Sequence, residues 1–161
     1  MKKDLRKLSL EQIKEWLTQN NEPTFRAKQV MEWLWQKSVV SIDQMSNLSK
    51  SLREKLKEEF EIRNVRAHTS QFSNDGTIKS GFKLHDNHLV EGVLIPTDSR
   101  MTACISSQVG CSLTCKFCAT GYMNRERNLD ASEIYDQVIL IKNQAEENFQ
   151  APLTNIVYMG M

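Results

Sequence analysis

Thr102-Ala103-Cys104-Ile105-Ser106-Ser107-Gln108-Val109-Gly110-Cys111-Ser112-Leu113-Thr114-Cys115-Lys116-Phe117-Cys118 is the stretch on which the reading of this chain turns. Residues 102–106 read as a short strand, and 107–129 as a long loop that contains Gly110, Gly121 and three cysteines. Asp130-Ala131-Ser132-Glu133 then offers an N-cap residue and a carboxylate at N3, the start of a helix that Ile134, Val138 and Ile141 continue on one face. Residues 155–159 form an apolar run expected to be a buried strand. Strand, helix, strand in this order predicts a parallel βαβ unit with a right-handed crossover. Parallel strands are normally covered on both faces, so a chain that stops at Gly160-Met161 is expected to be a piece of a longer α/β protein.

Upstream of this unit the pattern is different. Ser73-Asn74-Asp75-Gly76 and His85-Asp86-Asn87-His88 are turn signals, and residues 77–84 and 89–95 read as strands joined in hairpins. His85 and His88 have no third partner in the sequence and are read as exposed loop histidines. The first sixty or so residues read as short helices. Ser9 caps one, with Gln12 three residues on and Leu10, Ile13 and Leu17 on one face. A second follows Pro23-Thr24 and carries Ala27, Val30, Met31 and Leu34, with Trp33 and Trp35 off that face. A helical turn is expected over 41–45. Ser49 opens a further helix with Leu52, Leu56 and Phe60 every fourth residue. The organisation expected is a helical domain at 1–64, a β-hairpin lead-in at 65–96, and the beginning of a barrel at 97–161.

Composition bounds the class. With 40% hydrophobic and 25% charged residues, the 161-residue chain has the make-up of a soluble globular protein. No stretch approaches the roughly 20 apolar residues of a membrane span. The basic start, Met1-Lys2-Lys3-Asp4-Leu5-Arg6-Lys7, lacks the apolar segment of a signal peptide, so a cytoplasmic protein is expected. The net charge of +1 divides unevenly: residues 1–67 hold 14 Lys/Arg against 10 Asp/Glu, and 68–161 hold 7 against 10. A mildly basic front end permits a nucleic-acid partner, although charged residues on solvated helix faces are the commoner explanation.

All four cysteines fall between positions 104 and 118. A disulfide scaffold would spread them, so the clustering indicates metal or redox chemistry. Cys111, Cys115 and Cys118 stand in a C-x3-C-x2-C spacing, and soft thiolates suit iron–sulfur clusters and zinc. Three cysteines on one loop can hold three irons of a [4Fe–4S] cluster and leave the fourth open to the amino group and carboxylate of a small molecule. The methionine end of S-adenosylmethionine is such a ligand, and an electron from the cluster would then cleave its sulfonium. The loop follows a strand, as active-site loops do in β/α barrels. Phe117 offers a flat face for an adenine, or a shield for the cluster. A four-thiolate zinc site with Cys104 as fourth ligand is the first rival, although zinc modules usually pair two C-x2-C knuckles. A redox pair at Cys115 and Cys118 would leave Cys111 unexplained.

The run from Cys104 through Gly110-Cys111, Cys115, Cys118-Ala119-Thr120-Gly121 and Arg127-Asn128-Leu129 resembles the radical S-adenosylmethionine RNA methyltransferases. Within them it is similar to the dual-specificity enzymes that methylate adenine C2 in ribosomal and transfer RNA. Phe25-Arg26-Ala27-Lys28-Gln29 and Met45-Ser46-Asn47-Leu48-Ser49-Lys50 resemble the family's helical domain. Asp75-Gly76-Thr77 and Glu91-Gly92-Val93-Leu94-Ile95-Pro96 resemble its lead-in strands.

The resemblance implies an α/β fold: a small helical RNA-binding domain, a short β lead-in, and the first βαβ part of a partial TIM-like barrel. It implies a [4Fe–4S] cluster on Cys111, Cys115 and Cys118, with S-adenosyl-L-methionine as second cofactor. One S-adenosylmethionine methylates a C-terminal cysteine; a second gives an adenosyl radical that activates the methyl group for addition to adenine C2. By the same carry-over Cys104 resolves the protein–RNA adduct through a disulfide, although alone it reads as a buried strand residue. Glu91 accepts a proton beside the target adenine, although alone it reads as solvent-facing. The implied partners are 23S rRNA and tRNA and an electron donor of reductase or flavodoxin type, with a monomer and no membrane expected. The family's Gly-Glu-Pro segment and its methyl-carrying cysteine would both lie beyond Met161, so this chain is expected to bind the cluster without transferring methyl groups. A relative acting at adenine C8 and a zinc-stabilised nucleic-acid-binding module are the alternatives.

Overall fold

The computed structural model describes residues 2–113 and 115–159, which fall into two units, Met1–Arg63 and Asn64–Met161. In the first, strand β1 (Lys3–Asp4) pairs in parallel with β2 (Phe60–Glu61) and ties the two ends of the unit together. Helix α1 (Leu10–Gln19) opens with a reciprocal cap, the Gln12 N–H donating to Ser9 Oγ at 3.2 Å and the Ser9 N–H to Gln12 Oε1 at 2.8 Å. Helices α2 (Arg26–Trp35) and α3 (Lys50–Glu59) follow, the latter capped by Ser49 as its sequence predicts. Between them Ser41 caps a short 3-10 turn, Ile42–Gln44. Ile13, Leu17, Ala27, Val30, Leu34, Leu52 and Leu56 form the core, with Trp16 edge-on to Phe60 at 5.4 Å. Trp33 and Trp35 pack at its margin, half-buried.

The second unit is built on a mixed sheet. Strands β3 (Arg66–Phe72), β4 (Ile78–Lys83), β5 (Leu89–Thr97) and β6 (Arg100–Ile105) form an antiparallel meander. After the cysteine loop, which carries the short pair β7 (Gln108–Val109) and β8 (Arg127–Asn128), helix α4 (Ala131–Phe149) crosses one face. Strand β9 (Asn155–Tyr158) then pairs in parallel with β6, which makes the expected βαβ unit. The strand order is β3-β4-β5-β6-β9. Among the described residues no helix is long and apolar enough to cross a membrane.

Two expectations need correction. The apolar run of β9 is exposed along its whole length, because among the described residues it pairs only with β6 and nothing lies on its far edge. The strand expected at 102–106 ends at Ile105, and Ser106 begins the loop. Strand β3 was not signalled at all, since every one of its residues is exposed and it shows no alternation.

The pleat sorts the sheet into two faces. Ile78, Phe82, Val90, Leu94, Ala103 and Ile105 point to α4 and form the second core. Gly92 lies on that side too, where a Cβ would stand 2.6 Å from the Phe82 ring and 3.0 Å from Ile141, so the bare glycine lets the helix approach. The stripe of α4 that meets the sheet is Glu133, Gln137, Ile141 and Ala145. Ile134 and Val138, which the sequence puts on one face with Ile141, pack against the same core half-buried.

Candidate active-site face and cysteine loop

The face turned away from α4 holds two of the proposed site residues. Cys104 lies between Val93 on β5 and Val157 on β9. Glu91 is two residues before Val93 and so shares that face, displaced toward the end of β6 from which the cysteine loop leaves. The Ser106 hydroxyl donates to the Glu91 carbonyl at 2.7 Å and fixes β5 to the first residue of the loop. The Glu91 carboxylate is half-exposed, at 49%, and pairs with Lys79 Nζ at 2.8 Å. Cys104 is 8% exposed, and burial pushes its thiol up, so the sulfur is protonated at neutral pH.

Cys111, Cys115 and Cys118 are unpaired thiols of intermediate exposure. The chain turns tightly around them: the Cys118 N–H donates to the Cys115 carbonyl at 3.1 Å and the Gly121 N–H to the Cys118 carbonyl at 3.0 Å. Donors also face the sulfurs. The Leu113 N–H lies 3.3 Å from Cys111 Sγ. Polar donors of Gly121 and Thr120 beside the Cys118 thiol lower its pKa. Donors that favour the thiolate are what a soft-metal ligand needs. The residues therefore fit an iron–sulfur cluster in donor type and number. Their arrangement is not a closed cage, for among the described residues no group of three or more His, Cys, Asp and Glu side chains comes together to hold a metal ion. Thr114, inside the motif, lies outside the described residues. Phe117 is 93% exposed, and Leu113, Tyr122 and Met123 are exposed nearby in sequence, so the loop presents an apolar surface.

The ends of the loop are held by backbone pairing. The Glu126 N–H donates to the Val109 carbonyl and the Leu129 N–H to the Ser107 carbonyl, each at 2.9 Å. Gly110 has a φ of +70°, and a Cβ there would stand 2.0 Å from the Asn124 carbonyl oxygen.

A charged network that sequence reading missed locks the exit. Arg127 forks onto Glu133 with bonds of 2.7 and 2.8 Å, and its Nε donates to Asp86 Oδ2 at 2.8 Å, with Nη2 2.7 Å from the same oxygen. His85 Nδ1 stands 3.3 Å from Glu133 and His88 Nδ1 3.1 Å from Asp86, so the two histidines engage carboxylates. Glu133 is 2% exposed and also accepts the Asp130 N–H at 2.9 Å. Burial raises its pKa, but Arg127 and that N–H outweigh burial and lower it. At Asp86 burial is likewise outweighed by Arg127 and His88, leaving a value of about 2. Arg127 is raised, chiefly by Glu133. The only local signal was the cap at Asp130 and Glu133; the Arg127 partnership spans three separate segments.

Residues 3–62 match the ribosomal RNA large subunit methyltransferase N-terminal domain. A probable dual-specificity RNA methyltransferase RlmN of Cytophaga hutchinsonii is 63% identical over 99% of this chain and 44% of its own length. One from Bacillus velezensis is 43% identical over 94% of this chain and 42% of its own. A crystal structure of a radical SAM methyltransferase from Sphaerobacter thermophilus superposes with a TM-score of 0.80 at 38% identity, covering 98% of this chain and 46% of that one. The chain thus spans under half the length of the relatives it matches. By sequence and by fold, these 161 residues match the N-terminal portion of a radical S-adenosylmethionine RNA methyltransferase.

Proposed function

We propose that this chain supplies the cluster loop and part of the reacting face of an enzyme that methylates carbon 2 of an adenine in 23S rRNA and tRNA. The observation that carries the reading is one of placement: Cys104 and Glu91 share the open face of the sheet, at the strand end from which the loop of Cys111, Cys115 and Cys118 springs. That is where β/α barrels place their chemistry.

In this reading Cys111, Cys115 and Cys118 hold a [4Fe–4S] cluster, whose N–H donors favour the thiolate form of the ligands. The bound cluster and S-adenosyl-L-methionine supply the one-electron chemistry that adenine C2, which is not nucleophilic, requires. The exposed ring of Phe117 receives the adenine of that cofactor. Glu91 accepts a proton at its carboxylate, which the Lys79 ammonium orients. Cys104 keeps its proton until the adduct is resolved, because burial disfavours the thiolate. The helical unit contributes RNA binding, and an electron donor of reductase or flavodoxin type reduces the cluster.

Anaerobic reconstitution with iron and sulfide, followed by metal analysis and EPR of the reduced sample, tests the reading on this chain and on Cys104→Ala. About four irons per chain in both, with a reduced-cubane signal, is the expected result. Stoichiometric zinc that resists replacement by iron and is lost in the variant would sink it in favour of a structural zinc site.

A further inference from the structure

The charge of the second unit is segregated by face. Residues 64–161 hold eight Lys/Arg against ten Asp/Glu, so the unit as a whole is acidic. Yet its open face carries cations from three strands. Arg66 on β3 is directly opposite Lys83 on β4, and Lys79 lies on the same side of β4. Alternation along β6 puts Arg100 on the side of Thr102 and Cys104. The only carboxylate on these strands that shares the face is Glu91, already paired with Lys79. Among the described residues no ion pair engages Arg66, Lys83 or Arg100.

The face assignment has independent support. Gln144 on α4 donates to Ser80 Oγ at 2.7 Å and to Ser70 Oγ at 3.4 Å, which fixes those residues on the helix side and their neighbours on the other. The helix side is where the acids collect. Glu146 and Glu147 are exposed on α4, whose one lysine, Lys142, stands 3.6 Å from Glu146.

Charges on an exposed edge often serve only to block strand pairing. That reading covers Arg66 on the edge strand β3. It leaves Lys83 and Arg100 unexplained, because β4 and β6 lie inside the sheet. The exposed apolar side chains of Leu89 and Ile95 lie among the cations, so the surface offers contact area as well as charge. A row of unpaired cations with apolar ground between them is complementary to a polynucleotide: phosphates meet the charges and sugar or base edges the apolar groups.

We propose that this open sheet face is a track for the RNA backbone, with Arg66, Lys83 and Arg100 contacting phosphates on the approach to Glu91 and Cys104. The proposal rests on the RNA-modifying reading above and adds to it a binding surface outside the helical unit. Arg66 and Lys83 grip one point of the strand, and Lys79, about 13 Å along β4 from Lys83, stays with Glu91.

Fluorescence anisotropy with a labelled RNA stem-loop, titrated at several salt concentrations under reducing conditions, tests it on the 161-residue chain. The triple variant Arg66→Gln, Lys83→Gln, Arg100→Gln is expected to bind about tenfold or more weakly and to lose about two units from its log K against log salt slope. The charge-keeping triple Arg66→Lys, Lys83→Arg, Arg100→Lys should bind within about twofold of the parent, and Lys142→Gln on α4 should change neither quantity. Parental affinity and slope in the Gln triple would overturn the track while leaving the RNA reading intact. No RNA binding by the parent chain would overturn both. Binding of poly-glutamate but not RNA would overturn the track by giving the face to an acidic protein.

Discussion

Gln137 closes both backbone polar groups of Ser106: its Oε1 accepts the Ser106 N–H at 3.0 Å, and its Nε2 donates to the Ser106 carbonyl at 3.2 Å. Both residues are fully buried, so an amide on the inner stripe of α4 replaces the ladder partner that the chain loses where β6 ends and the loop begins. Gln137→Leu keeps the volume and leaves two buried groups unpaired, at a cost of about 1–3 kcal/mol each. An unfolding free energy lower by about 2–6 kcal/mol is expected, with faster exchange at the Ser106 amide.

The Arg127 lock gives a pH-dependent stability. Asp86 and Glu133 have folded pKa values below their ordinary ones, Asp86 at about 2. The stability they contribute is therefore present above their unfolded values near 4 and lost as pH falls through the folded ones. Arg127→Met strands the buried Glu133 without its partner and should cost about 3 kcal/mol at pH 7. The deficit should shrink on acidification, because a protonated Glu133 no longer needs the guanidinium. Urea unfolding of both proteins across the acid range measures this, and a deficit independent of pH would contradict it.

Gly110→Ala should open the loop without unfolding the sheet. The substitution forces a side chain into positive φ and against the Asn124 carbonyl, a strain of about 1–3 kcal/mol. Hydrogen exchange should speed up at Glu126 and Leu129, whose N–H groups bridge the two arms of the loop, while the β4–β5 ladder stays protected.

The cysteines should separate by reactivity. Cys118 is partly exposed with a lowered pKa, and Cys104 is buried with a raised one. Iodoacetamide under reducing, metal-free conditions should label Cys118 well before Cys104, as peptide mass spectrometry would resolve. Labelling of Cys104 first would show that β9 does not cover it.

Local chemistry was legible in the sequence. Ser9 with Gln12, Ser49, and Asp130 with Glu133 are caps whose partners lie within three residues, and each forms as read. The family resemblance was legible too, because the cysteine spacing is a short pattern. Placement across the fold was not. Glu91 and Cys104 lie on different strands, and their shared face depends on a register that the turn between Thr97 and Arg100 sets. The inner stripe of α4 was legible only in its apolar members, because only tertiary partners explain Glu133 and Gln137 there. Strand β3 carries no apolar alternation, so pairing with β4 alone makes it a strand.

The change from antiparallel to parallel pairing at β6 sets an order of assembly. Strands β3 to β6 each pair with their immediate neighbour in sequence, so short-range contacts suffice to form the meander. Strand β9 meets β6 across a separation of 53 residues, from Thr102 to Asn155, and must wait for the loop and α4 to close. Until then β6 is the outer strand, and Cys104 is flanked on one side only. The same step in reverse, release of β9 with the meander intact, is the edge opening of the five-stranded sheet with the fewer pairings to break, and it bares the thiol that the closed sheet protects.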